Sequence, residues 1–171
     1  FVLLSNRNAG GSANIGDLLL RGRLTGCAAT CTTVTIDRDP ARTGVAIPQF
    51  NFQVVTLNSG ASVQSGLQNF PAATATQSPA LAPSVDLARS WAFLSTMNDG
   101  GQNQGLSALA GIPSLPGVST FVTTLAAASL TLTRQNTAAT ADVSWYVVEM
   151  NNTPIAGVSY SSREDGTAAN R

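Results

Sequence analysis

A set of apolar, alternating blocks near the start of the chain returns in the same order about ninety residues later. Phe1-Val2-Leu3-Leu4-Ser5-Asn6-Arg7-Asn8 is matched by Trp91-Ala92-Phe93-Leu94-Ser95-Thr96-Met97-Asn98. Val34-Thr35-Ile36-Asp37-Arg38 is matched by Leu130-Thr131-Leu132-Thr133-Arg134, and Phe52-Gln53-Val54-Val55-Thr56-Leu57 by Trp145-Tyr146-Val147-Val148-Glu149-Met150. Length differences fall between the blocks and not inside them. That pattern predicts a duplicated β unit, because a period of two places alternate side chains on opposite faces of a strand.

The alternation is plain in several runs. Val34 and Ile36 alternate with Thr33, Thr35 and Asp37; Phe50, Phe52 and Val54 with Gln49, Asn51 and Gln53; Val143, Trp145 and Val147 with Asp142, Ser144 and Tyr146. Leu18, Leu20, Gly22 and Leu24 form a further inward set. Threonine and valine at these spacings suit a half-buried pleated surface. Only Val85 to Arg89 and Gly105 to Leu109 could form short helical pieces. The expected fold is all-β: an antiparallel, jelly-roll-like β-sandwich made of two sequence-related copies with pseudo-twofold symmetry. The first copy is residues 1–72, the second 91–171, and residues 73–90 are read as a strand crossing between them. One joined sandwich is preferred to two small ones because joining covers strand edges.

Composition narrows the chemistry. All nine basic residues are arginine, and the chain has no lysine and no histidine. That removes histidine acid–base catalysis, histidine metal ligation and lysine Schiff bases. It also removes the lysines that often guard edge strands against pairing with another chain. Charged residues are 11% of the chain, against roughly 25% in an average soluble domain, and the formal net charge is zero. Neutrality argues against nucleic acid as a partner, and no apolar run is long enough for membrane insertion as a helix. A weakly charged surface favours association with copies of the same chain.

Candidate sites are few. Cys27 and Cys31 enclose three residues between two strand-like runs. With no other cysteine and no histidine to complete a metal site, they are read as a disulfide across a tight hairpin, and so as a sign of an oxidising compartment. Closing so short a loop stabilises by about 2 kcal/mol in the chain-entropy model. The loop from Asn98 to Gly105 reads first as a turn; Asp99 and Asn103 are its candidate calcium ligands, although the closing glutamate of an EF-hand is missing. No resident cofactor is expected. Arg38 and Arg134 close matched strands and are read as structural, through an ion pair or an interface. The carboxylate pairs Asp37 with Asp39 and Glu164 with Asp165 are read as solvated. Trp91 and Trp145 match Phe1 and Phe52 and are expected in the core, leaving Tyr146 and Tyr160 as exposed aromatics. Asn151-Asn152-Thr153 is a glycosylation sequon weakened by Pro154.

Phe1 in place of an initiator methionine is read as the mark of a processed or trimmed chain. Ser84 to Ser90 leads into the second copy, and Val63-Gln64-Ser65-Gly66 has its counterpart in Val158-Ser159-Tyr160-Ser161. The expectation is that the tail of one subunit completes the sheet of its neighbour, with Phe1, Val2, Leu3, Val158, Tyr160, Arg163 and Arg171 as the assembly candidates. The alternative is a fragment of a longer repeat polypeptide.

The blocks Ala92-Phe93-Leu94-Ser95, Leu130-Thr131-Leu132-Thr133-Arg134 and Val143-Ser144-Trp145-Tyr146-Val147-Val148-Glu149 resemble a motif set of β-rich repeat proteins from bacterial surfaces and phage-related particles. The resemblance spans both copies; it implies an extracellular β-sandwich repeat and carries over no catalytic residue. The expected function is therefore structural: a secreted, surface-associated subunit of a filament, pilus-like fibre or layer, self-assembling and not an enzyme. The second reading is an adhesin or fibre domain that binds surface glycans through the Gly/Asn loops and the tyrosines.

Overall fold

The computed structural model describes residues 1–7, 19–27, 31–38, 49–57, 60–99 and 118–151. They form an all-β, sandwich-like arrangement of antiparallel pairs. In chain order the strands are β1 (Val2–Arg7), β2 (Arg21–Thr25), β3 (Thr33–Asp37), β4 (Gln49–Val54), β5 (Ala61–Phe70), β6 (Thr76–Gln77), β7 (Ser90–Asp99), β8 (Val122–Ala126), β9 (Ser129–Thr133) and β10 (Thr140–Met150). The expected helix at Val85 to Arg89 is a single 3-10 turn, Leu87–Arg89, capped by the Asp86 carboxylate accepting from Ala88 N. The other expected helical piece, Gly105 to Leu109, lies outside the described residues.

The middle layer is the sheet β5-β10-β7. On one side of it lies β6-β9-β8, and between the two sits the core: Phe70, Leu81, Val85, Leu130, Leu132, Val143, Trp145 and Val147. Ala92, Leu94, Phe121 and Leu125 close its margins. Each fully buried Leu, Val or Phe here stabilises by about 1.5–3 kcal/mol relative to exposure. On the other side of the middle layer lie the β2-β3 hairpin and the start of β1. Tyr146 Oη donates to Gly22 O at 3.2 Å, Gly22 N donates to Ser95 Oγ at 2.9 Å, and the Phe1 ring meets Phe93 edge-on at 4.7 Å. β10 is thus covered on both faces, and it is buried without a break from Val143 to Val148. Its Ser144 and Tyr146 side, which alternation assigns to solvent, is covered by β2.

The crossing segment is tied down rather than loose. Leu81 N and Val85 N donate to Ala128 O and Ala127 O at 2.8 and 2.7 Å, strapping the β8–β9 turn. The Gln64 side chain holds the same segment at both ends of its amide, donating to Pro83 O and accepting from Ala82 N. Arg134 is buried and clamps four carbonyls, those of Phe70, Pro71, Thr74 and Val118, with its guanidinium over the Phe70 ring. Burial pulls its pKa below the ordinary guanidinium value. Its role is structural as expected, but through carbonyls in these bonds and not through an ion pair.

The matched sequence blocks pair in matched registers. Leu4 lies opposite Phe52 as Leu94 lies opposite Trp145, and Val2 opposite Val54 as Ala92 lies opposite Val147. Leu24 faces Val34 as Leu125 faces Leu130. The surroundings differ. β10 has β5 on its far edge and β9 has β6, whereas among the described residues β4 is paired with β1 alone and β3 with β2 alone.

Candidate assembly surface

β4 is an edge strand with an apolar side. Phe1 and Val55 exchange both backbone bonds, Phe1 N to Val55 O at 3.0 Å and Val55 N to Phe1 O at 2.9 Å. Antiparallel ladders alternate bonded and non-bonded pairs, so the N–H and C=O groups of Phe50, Phe52 and Val54 point away from β1. The side chains of these same residues are exposed, Phe52 at 50% and Val54 at 45%. Their counterparts Trp145 and Val147 are at 7% and 1%. The cause is local: β5 lies along β10, with Gly66 opposite Trp145, and a Cβ at Gly66 would stand 2.5 Å from the indole ring. No described strand does this for β4.

The opposite face of the β1–β4 pair is open too. Leu3 is 43% exposed, and Ser5, Asn51 and Gln53 are exposed. An open depression of about 310 Å³ between β1 and β7 is lined by Leu3, Leu4, Leu19, Leu20 and Phe93 together with the polar Ser95 and Thr96. It holds no convergent set of charged groups. Among the described residues no cluster of His, Cys, Asp or Glu could hold a metal ion, and no helix is long and apolar enough to cross a membrane.

The charged groups that do cluster serve the layers. Arg21 donates to Asp37 at 3.0 Å and reaches Asp142 on β10 at 3.2 Å, while Arg23 Nε donates to Asp37 at 2.6 Å. Burial alone would raise the Asp37 carboxyl; the hydrogen bonds from Arg23 and Arg21, with their charges, outweigh it and hold it below the usual carboxylate range. Asp37 is therefore an ion-pair anchor of β2 and β3 and not the solvated carboxylate expected; its sequence partner Asp39 lies outside the described residues. A second group, Asp86, Arg89 and Glu149, pins the 3-10 turn to the end of β10.

Several expectations need correction or placement. Tyr146, expected exposed, is buried between Phe93, Phe1 and β2, and burial pushes its phenol pKa upward. The reason is the second layer over β10, which alternation within one strand does not reveal. Trp145 is in the core, but Trp91 is partly exposed. Val2 is buried against Gly22, whereas Leu3 is exposed and Phe1 is half-buried. Cys27 and Cys31 are disulfide-bonded at the end of the β2–β3 hairpin, after Gly26 in the left-handed region at φ +67°. Asp99 ends β7 opposite Thr140, and its side chain lies outside the described set. Asn103, Val158, Tyr160, Arg163, Glu164, Asp165 and Arg171 also lie outside the described residues. The sequence shows Phe50, Phe52 and Val54 only as sharing one face of a strand. Among the described residues no strand stands to β4 as β5 stands to β10.

No family model, curated protein or solved structure matches the chain.

Proposed function

We propose that this protein is a structural subunit of an extracellular filament, fibre or surface layer, and that it assembles through its β-strand edges with a neighbouring subunit supplying a strand. The single observation that carries this reading is β4, an edge strand whose outward backbone groups and apolar side chains coincide on Phe50, Phe52 and Val54. An exposed apolar edge is a template for pairing with another chain unless it is guarded, and here no lysine guards it. Two sequence-related copies of one four-strand unit, β1 to β4 and β7 to β10, account for the matched registers. The second copy is completed within the chain by β5 and β6; the first is completed by assembly. The Cys27–Cys31 bridge is in keeping with an oxidising, extracytoplasmic setting.

Negative-stain microscopy and sedimentation of the native chain beside Phe52→Asp test the reading. The expected result is ordered polymers from the native chain and monomers from the variant, with the same circular dichroism. Discrete particles from both, with affinity for glycans, would replace it by the adhesin reading.

A further inference from the structure

We propose that the open edge of β4 is the seat of residues 156–163 of a second copy of this chain, added as an antiparallel strand in the register that β5 takes on β10. The inference rests on the assembly reading above and specifies its donor, its register and its direction. The template is inside the molecule. β5 pairs with β10 so that Val63 lies opposite Val148 and Gly66 opposite Trp145. Ala61-Ser62-Val63-Gln64-Ser65-Gly66 is matched in sequence by Ala156-Gly157-Val158-Ser159-Tyr160-Ser161, and Trp145 and Val148 are matched by Phe52 and Val55. Transferring the register puts Val158 opposite Val55, Ser161 opposite Phe52 and Arg163 opposite Phe50. The outward backbone groups of Phe50, Phe52 and Val54 then meet those of Arg163, Ser161 and Ser159.

Side-chain size agrees with this pairing. Opposite Trp145 only glycine fits, since a Cβ at Gly66 would approach the indole to 2.5 Å. At the matched pair the smaller phenyl ring of Phe52 faces the larger Ser161, so the total volume across the two strands is conserved. Arg163 opposite Phe50 can lay its guanidinium over an exposed ring.

The direction follows from how the two halves meet. Gly22 and Arg21 of the first half bond to Tyr146 and Asp142 of the second. A twofold relation would repeat these contacts in reverse, setting Thr123 against Gln53 and Val122 against Gln49. Instead Gln53 and Val122 are exposed. The halves therefore meet head to tail, and applying the same relation again leads onward instead of back. Such heterologous contacts run from molecule to molecule, as a ring where the rotation closes and as an open chain where it does not. The tail of the second half is thus directed to β4 of another molecule and not to its own.

Cysteine trapping tests the register. Val55→Cys and Val158→Cys are prepared as separate full-length proteins, mixed and oxidised with the native Cys27–Cys31 bridge intact. A disulfide-linked dimer should form in about ten-fold higher yield than from the displaced pair Asn51→Cys and Val158→Cys, whose partners lie four residues apart along the edge. Equal yields would overturn the proposal, as would a double variant that closes within single molecules at high dilution. If polymers form normally but no bond does, the donor is wrong and the assembly reading stands; if no polymers form at all, the assembly reading itself fails. A compensating pair guards against misfolding: Phe52→Trp should lower assembly about ten-fold through the clash with Ser161, and adding Ser161→Gly should restore it. Failure of that rescue would also contradict the register.

Discussion

Trp145 and Phe52 hold matched places in β10 and β4, opposite Leu94 and Leu4, yet the first is buried and the second half exposed. The ladders that hold them to their partners are alike, so neither propensity nor pairing makes the difference. What differs is the third strand: β5 closes the far edge of β10, and the crossing segment with Leu81 and Val85 closes the space beyond it. β10 is then covered a second time by β2. The comparison teaches that a strand's environment in this fold is set by its neighbours. Two nearly equivalent sequences can therefore serve as a core strand and as an open edge.

The largest expected effect comes from emptying the two matched positions in turn. Trp145→Ala should cost about 3–5 kcal/mol in chemical denaturation, because the cavity lies in a packed core. Phe52→Ala should cost the isolated chain about 1 kcal/mol or less, given its exposure. Equal costs would break the comparison. Next, Gly66→Ala should destabilise by about 1–3 kcal/mol, since the added methyl must displace the indole ring or the β5 backbone. A neutral outcome would show that β5 sits less tightly on β10 than the structure has it.

A smaller effect than at Trp145 or Gly66 concerns the second cover of β10. Asp37→Asn weakens the pairs to Arg21 and Arg23 that hold the β2–β3 hairpin over Tyr146, and should cost about 1–2 kcal/mol at neutral pH. The Asp37 carboxyl is held below its ordinary range, so its contribution is full above the unfolded value near pH 4. It is lost as pH falls through the folded value. The gap between the native chain and the variant should therefore close on acidification below about pH 4. A gap that widens there would reverse the assignment.

Much of this contrast could be read from the residues, and some could not. The matched blocks and their period of two predicted an all-β antiparallel fold, and the cysteine spacing predicted the Cys27–Cys31 hairpin bridge. Alternation within β10 could not tell that both its faces are covered, so Tyr146 was assigned to solvent. Alternation within β4 puts Phe50, Phe52 and Val54 on one face but could not tell that no described strand covers that face. Both failures have one physical source: periodicity reports which side chains share a face, while burial depends on strands far away in the chain. Arg134 shows the same limit, since its four carbonyl partners come from residues 70–74 and 118 and no charge pattern announces them.

The central claim is that the β4 edge is open in the single molecule and closed in the assembly, while the β10 edge is closed in both. Site-resolved amide hydrogen exchange at Phe50, Phe52 and Val54 tests this most directly, with Val143, Trp145 and Val147 as internal references. The account predicts fast exchange of the β4 amides in the isolated protein and strong protection after assembly, with the β10 amides slow throughout. Protection of the β4 amides that is already present in the monomer, or that does not change on assembly, would contradict it.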